Sequence, residues 1–164
     1  MILYIVRHGV AVGRTDPKCP PEEERPLTTK GLQKTRDAAL GLKELKVKPD
    51  VLITSPYLRA AQTADIFAKA LGFPASEIRV SDALKPAANP AEIVKEISQL
   101  RAREVMCFGH APHVDQLIAQ LSGGRGVFTS LKKAGVALME RTGTHGAWRL
   151  EWILTPKVLR QLAT

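Results

Sequence analysis

The chain begins with an uninterrupted apolar run, Ile2 to Val6, that stops at Arg7, His8 and Gly9. A short β-branched run without alternation reads as a strand buried on both faces, the type found inside parallel sheets. Beyond it the period changes. Leu32, Thr35, Ala39, Leu42 and Leu45 recur at helical spacing behind a cap at Thr28 or Thr29. "DVLITSP" is a second buried strand, and Ser55-Pro56 predicts a helix start with Leu58, Ala61, Ala64, Ala68 and Leu71 as its buried stripe. Gly72 and Pro74 close that helix. Glu77 to Val80 reads as a weaker strand, "NPAEIVKEISQL" as a helix opened by Asn89-Pro90, and "EVMCFG" as another buried strand. "PHVDQLIAQLSGG" predicts a helix ended by its glycines. "AGVALME" and "AWRLEWIL" have strand character, and a short helix is expected after Pro156. The β-α alternation predicts an α/β fold of three layers, α/β/α, with a mostly parallel central sheet.

Composition sets bounds on this picture. At 164 residues the chain suits one domain, residues 1–164, large enough to bury a core without disulfide or metal staples. Repeats, linkers and low-complexity stretches are not evident. No apolar stretch reaches the roughly 20 residues needed to span a bilayer, and Ile2 to Val6 is too short for the apolar region of a secretory leader. Cys19 and Cys107 lack metal-ligand spacing and an obvious bridge, so both read as free thiols of a cytoplasmic protein. The formal charge of +8 invites a nucleic-acid reading. Scattered lysines and arginines, with aromatic residues at only 5%, argue instead for a solvated basic surface that attracts acidic partners.

The polar residues give the chemistry. Arg7 and His8 follow the first strand, Arg59 lies in the first turn after the second, and His110 ends "EVMCFG". Ligands of open α/β sheets bind outside the carboxyl ends of the strands, so these four distant positions are expected to converge. Two arginines, two histidines and nearby helix N-termini make a site for a phosphoryl anion. Singly, each has a plainer reading, as a strand-end histidine or a surface ion-pair arginine; together they do not. His113 and His145 read as structural. "GGRG" at Gly123 lacks the ending of a phosphate-binding P-loop, and "RHGVAVG" is not a dinucleotide fingerprint. A cluster of cations repels a divalent ion, so neither metal nor cofactor is implied.

The "RHG" after the first strand, "SPYLRAAQTA" at Ser55 to Ala64 and "FGHAPHV" at Phe108 to Val114 resemble, in order and spacing, the histidine phosphatase superfamily, with its phosphoglycerate mutase-like fold. The short length and "ERPLTTKG" resemble its SixA-type phosphohistidine phosphatases. The resemblance implies that His8 is a nucleophile that becomes a transient phosphohistidine. It also implies that Arg7, Arg59 and His110 clamp the phosphate and that Arg25 adds a further contact. A neutral imidazole is a competent nucleophile near pH 7.

Alkoxide leaving groups usually need a positioned acid. A phosphoramidate expels an imidazole, and Ala111 stands here where the acid phosphatase branch carries aspartate. The chain is also short for the insertions that enclose small substrates. The expected substrate is therefore a phosphohistidine-containing phosphotransfer protein. The alternatives are a small-molecule phosphomonoesterase or mutase on the same fold and a non-catalytic phosphate-binding module. Asp82, in "SDALKP", is the candidate general acid, equally readable as a loop or cap aspartate. Asp16 and the Glu22 to Glu24 cluster are further candidates for the acid, and read more readily as solvated loop charge.

Overall fold

The computed structural model describes residues 1–143 and 146–163. Its strands are β1 (Ile2–Arg7), β2 (Val51–Thr54), β3 (Arg79–Val80), β4 (Glu104–Gly109), β5 (Val136–Arg141) and β6 (Trp148–Leu154). They form one sheet of order β3-β2-β4-β1-β5-β6. β1 to β4 run parallel; β5 and β6 complete the sheet antiparallel. Helices α1 (Thr29–Glu44), α2 (Leu58–Leu71), α3 (Pro90–Ser98), α4 (His113–Leu121) and α5 (Pro156–Leu162) cover its two faces. The fold is the mostly parallel α/β/α arrangement expected from the alternation.

The unbroken apolar run of β1 follows from its central place. Leu3 and Ile5 pack with Val105, Cys107, Ile93 and Leu117 on one face. Tyr4 and Val6 pack with Leu42, Phe67, Met106 and Phe108 on the other. Both faces of the strand are therefore dry, which removes the polar positions that would mark a half-exposed strand.

Two helices depart from the predicted stripes. In α1 the buried face runs through Gly31, Thr35, Ala38, Ala39, Gly41 and Leu42, while Leu45 is 42% exposed. Backbone proximity selects the small residues. A Cβ on Gly31 would collide with the Val10 carbonyl, and one on Gly41 with the Leu159 carbonyl of α5. In α2 the expected start at Ser55-Pro56 is replaced by a start at Leu58, with Tyr57 as N-cap. Leu58 is 38% exposed, and the buried face instead includes Arg59, Ala60, Thr63, Ala64, Phe67 and Ala68. Ser55 Oγ still accepts from the Tyr57 N–H at 3.3 Å, but as a turn ahead of the helix, because Tyr57 itself is extended. The weak third strand shrinks to Arg79–Val80, because Ala75–Glu77 forms a 3-10 turn. Asn89 and Thr155 cap α3 and α5 through their side chains, as the Asn-Pro and Thr-Pro pairs lead one to expect.

Candidate active site

Parallel pairing brings the chemistry together. Arg7 on β1 is in register with Gly109 on β4, so His8 and His110, each one residue further on, leave the sheet side by side. Their rings lie 5.1 Å apart, centroid to centroid. The His8 N–H donates to the Gly109 carbonyl at 2.9 Å, and the Ala134 N–H donates to the Arg7 carbonyl at 2.9 Å. The nucleophile candidate is thus tied to both neighbouring chains.

The His8 ring has an assigned tautomer. Nδ1 donates to the Gly9 carbonyl at 2.7 Å, and Nε2 accepts a longer bond from Arg59 Nε at 3.3 Å. The lone pair therefore resides on Nε2. Burial, reinforced by the positive charges of Arg59, Arg7 and Lys133, pushes the ring's pKa down to about 3, against an ordinary 6.5. At neutral pH this imidazole is uncharged and nucleophilic. His110 is likewise held down, to about 2, by burial and then by His8 and Arg59. Ser55 Oγ accepts from the Tyr57 N–H at 3.3 Å and lies 2.8 Å from His110 Nε2. The hydroxyl can accept from both groups or donate to Nε2, so this bond is compatible with either tautomer of His110, whose Nδ1 is buried with no partner among the described residues.

Arginines surround the pair. Arg59, 2% exposed, donates from Nη1 to the Glu22 carbonyl at 2.7 Å and from Nη2 to Glu22 Oε1 at 2.9 Å. Arg25 donates to the Val12 carbonyl at 2.7 Å and to the same Oε1 at 2.9 Å. Arg14 reaches Glu22 through Nε and Nη2 at 2.9 and 3.0 Å. Arg7 donates from Nη1 to the Leu131 carbonyl at 2.9 Å, and its Nε is buried without a partner. Thr63 joins the two halves: its hydroxyl accepts from the Gly9 N–H at 3.0 Å and donates to the Arg59 carbonyl at 2.7 Å.

These groups line an open cleft of about 390 Å³, with Arg7, His8, Arg25, Arg59 and His110 in its wall beside Ala111. All the strand-end residues singled out in the sequence, and Arg25, meet there. Asp82 does not line the cleft; it opens a 3-10 turn after β3, its side chain is 77% exposed, and it pairs with Lys85 at 3.1 Å. His113 is fully buried in the first turn of α4 and likewise stands outside the lining. His145 lies outside the described residues.

Two further charges, Arg14 and Lys133, had no signal in the sequence and line the cleft. Glu22, read from the sequence with its neighbours mainly as solvated loop charge, is half-buried and bridges three arginines. Hydrogen bonds from Arg14 and Arg25, followed by the charges of Arg59 and Arg25, hold the Glu22 carboxyl well below the usual carboxylate range. The available signal was its place three residues before Arg25, but two adjacent glutamates masked it. Among the described residues no cluster suited to a metal ion occurs, and no helix is long and apolar enough to cross a membrane.

The family model of the histidine phosphatase superfamily (branch 1) matches residues 3–89. Phosphohistidine phosphatase SixA of Escherichia coli is 30% identical over 161 residues, 95% of this chain and 94% of its own. The chain belongs to the histidine phosphatase superfamily. An uncharacterized protein of Picosynechococcus sp. is 34% identical over 140 residues, 83% of this chain and 82% of its own. The structure of the protein histidine phosphatase SixA complexed with tungstate superposes with a TM-score of 0.86 at 28% identity, over 96% of this chain and 98% of that one. This member of the superfamily is a phosphatase with the SixA-like, phosphoglycerate mutase-like fold.

Proposed function

We propose that this phosphatase hydrolyses phosphohistidine on a protein through a covalent phosphohistidine at its own His8. In the first step the Nε2 lone pair of His8 attacks phosphorus as the bond from phosphorus to the substrate's imidazole nitrogen breaks. The substrate ring, protonated from solvent on its other nitrogen, leaves as neutral imidazole and keeps the bonding electron pair on the nitrogen that held phosphorus. In the second step water attacks phosphorus, the bond to Nε2 breaks, and phosphate leaves with His8 regenerated. Arg7, Arg25, Arg59 and His110 hold the phosphoryl oxygens, whose charge redistributes during in-line transfer. As the phosphoryl group arrives, Arg59 Nε exchanges its long bond to His8 for a phosphoryl oxygen, which frees the attacking nitrogen.

One observation carries the choice of leaving group. The carboxylate beside the arginines, Glu22, accepts from three guanidinium groups and is held ionised, so it has no proton to give. Asp82 is turned to solvent and paired with Lys85. A site so equipped suits a leaving group that needs no acid from the enzyme, and imidazole meets that condition where an alkoxide does not. The open cleft suits a phosphorylated side chain presented by a protein. Both cysteines are free, in keeping with a cytoplasmic protein.

The test compares a histidine-phosphorylated protein, prepared with phosphoramidate, against a panel of phosphomonoesters including phosphoglycerate. The expected result is a kcat/KM at least about 10²-fold higher for the phosphoramidate bond, an acid-labile label on His8 during turnover, and loss of both in His8→Ala. Faster hydrolysis of a monoester would replace the substrate assignment, and full activity in His8→Ala would remove the nucleophile. Asp82→Asn is expected to keep the phosphohistidine activity; its loss would make Asp82 the acid after all.

A further inference from the structure

The cleft is larger and more positive than one phosphoryl group requires. A water molecule occupies about 30 Å³ of liquid, and a phosphoryl group displaces a few such volumes, so most of the 390 Å³ is left for other parts of the substrate. Five cationic side chains line it, Arg7, Arg14, Arg25, Arg59 and Lys133, and two carboxylates answer them, Glu22 among three arginines and buried Asp115, whose charge acts on Arg7. Both histidines are neutral. A doubly charged phosphoryl group therefore leaves about one positive charge uncompensated.

Lys133 stands out among these cations. Its ammonium group has no hydrogen-bond or ion-pair partner among the described residues, although the backbone around it is firmly anchored. Leu131, two residues earlier, donates its N–H to buried Asp115 at 2.9 Å and accepts from Arg7 at 2.9 Å. Ala134, next in the chain, adopts a positive φ of 62° and donates its N–H to the Arg7 and His8 carbonyls at 2.9 and 3.2 Å. The residue is thus held at a cleft wall, where partial burial and then the charges of Arg7, Arg25 and Arg59 lower the amine's proton affinity. An unpaired cation held among cations is unfavourable in the free protein and becomes favourable when an anion arrives.

We propose that Lys133 forms a second anion subsite in the cleft wall that takes a carboxylate carried by the substrate. On the phosphohistidine reading, from which the identity of the carrier follows, this is an acidic side chain next to the phosphohistidine. A carboxylate on a small phosphomonoester is the other source of the same chemistry.

Two phosphohistidine peptides that differ only in Glu or Gln beside the phosphorylated residue test the subsite, assayed with the wild type, Lys133→Gln and Lys133→Arg. The readout is the ratio of kcat/KM for the two peptides within each enzyme, which cancels general damage to the site. The wild type is expected to favour the Glu peptide by about 5- to 10-fold at low salt. Lys133→Gln should bring the ratio close to one, and Lys133→Arg should restore most of it. A wild-type ratio of one, or a preference unchanged in Lys133→Gln, overturns the subsite as assigned to the acidic neighbour. A second pair of substrates, phosphoglycerate and glycerol phosphate, separates the sources. If neither peptide is hydrolysed and phosphoglycerate is favoured in a Lys133-dependent way, the subsite stands and the phosphohistidine reading falls.

Discussion

The two site histidines should make stability unusually sensitive to mild acid. In the unfolded chain a histidine takes up its proton near pH 6.5, whereas folded His8 does so only near 3 and His110 near 2. Between these limits the unfolded chain binds more protons, so stability is complete above the unfolded value and is lost as pH falls. At pH 5 both folded rings are still neutral, so the loss is governed by the unfolded value. It amounts to about 2 kcal/mol per histidine between pH 8 and pH 5, and about 4 kcal/mol for the pair. That is a large share of a typical stability of about 5–15 kcal/mol. Glu22 and Asp50, whose pKa values are held down, act below this window, because their stabilisation fades only under the ordinary carboxylate range near pH 4. The perturbation is the double substitution His8→Asn and His110→Gln, which keeps amide nitrogens near Nδ1 and Nε2 while abolishing the titration. Urea unfolding at pH 8, 7, 6 and 5 should show the wild type losing roughly 4 kcal/mol more than the variant across that range. Equal losses in the two proteins would refute the burial argument, and with it the claim that His8 is kept neutral by its surroundings.

Other substitutions probe the scaffold. Gly41→Ala drives a methyl into the Leu159 backbone and should loosen α5, lowering stability by about 1–3 kcal/mol in denaturant unfolding. Thr63→Val strands the Gly9 N–H and removes the link to Arg59; a cost of about 1–3 kcal/mol and a lower kcat are expected, and unchanged kinetics would show that the link does not position the nucleophile. Cys107 is buried and its thiol is pushed far up by desolvation, so a thiol reagent should titrate Cys19 alone in the native protein and both cysteines in urea. A second equivalent reacting at the native rate would contradict that burial.

Much of this architecture was legible because the decisive signals are local. The buried run before Arg7 reads as a strand, the runs before Ser55 and His110 do too, and the carboxyl-edge rule then brings three distant segments to one place. Helix faces were less legible. The stripes in α1 and α2 were read by hydrophobicity, but close backbone approach put Gly31 and Gly41 inside and Leu45 out. In α2 the Ser55 hydroxyl lies against His110, the helix begins only at Leu58, and Arg59 is turned inward to the cleft, none of which a hydrophobic stripe reports. Glu22 and Lys133 were hidden for another reason. They sit in loops, where no period reports which of several adjacent charges faces inward, and Glu22 became identifiable only once three guanidinium groups were found around it.

The register between β1 and β4 has a consequence for how the enzyme fails. His8 and His110 are spaced by the pairing of Arg7 with Gly109 in the middle of the sheet, not by a loop that can open alone. A one-residue slip would turn one of the two rings to the opposite face of the sheet. The spacing of the two rings is therefore kept until the sheet itself melts, whereas the cations supplied by loops can be lost earlier. In this protein the pair of rings is a gauge of the whole sheet, and a substitution beneath Phe67 or Leu117 reaches it by changing how many molecules are folded.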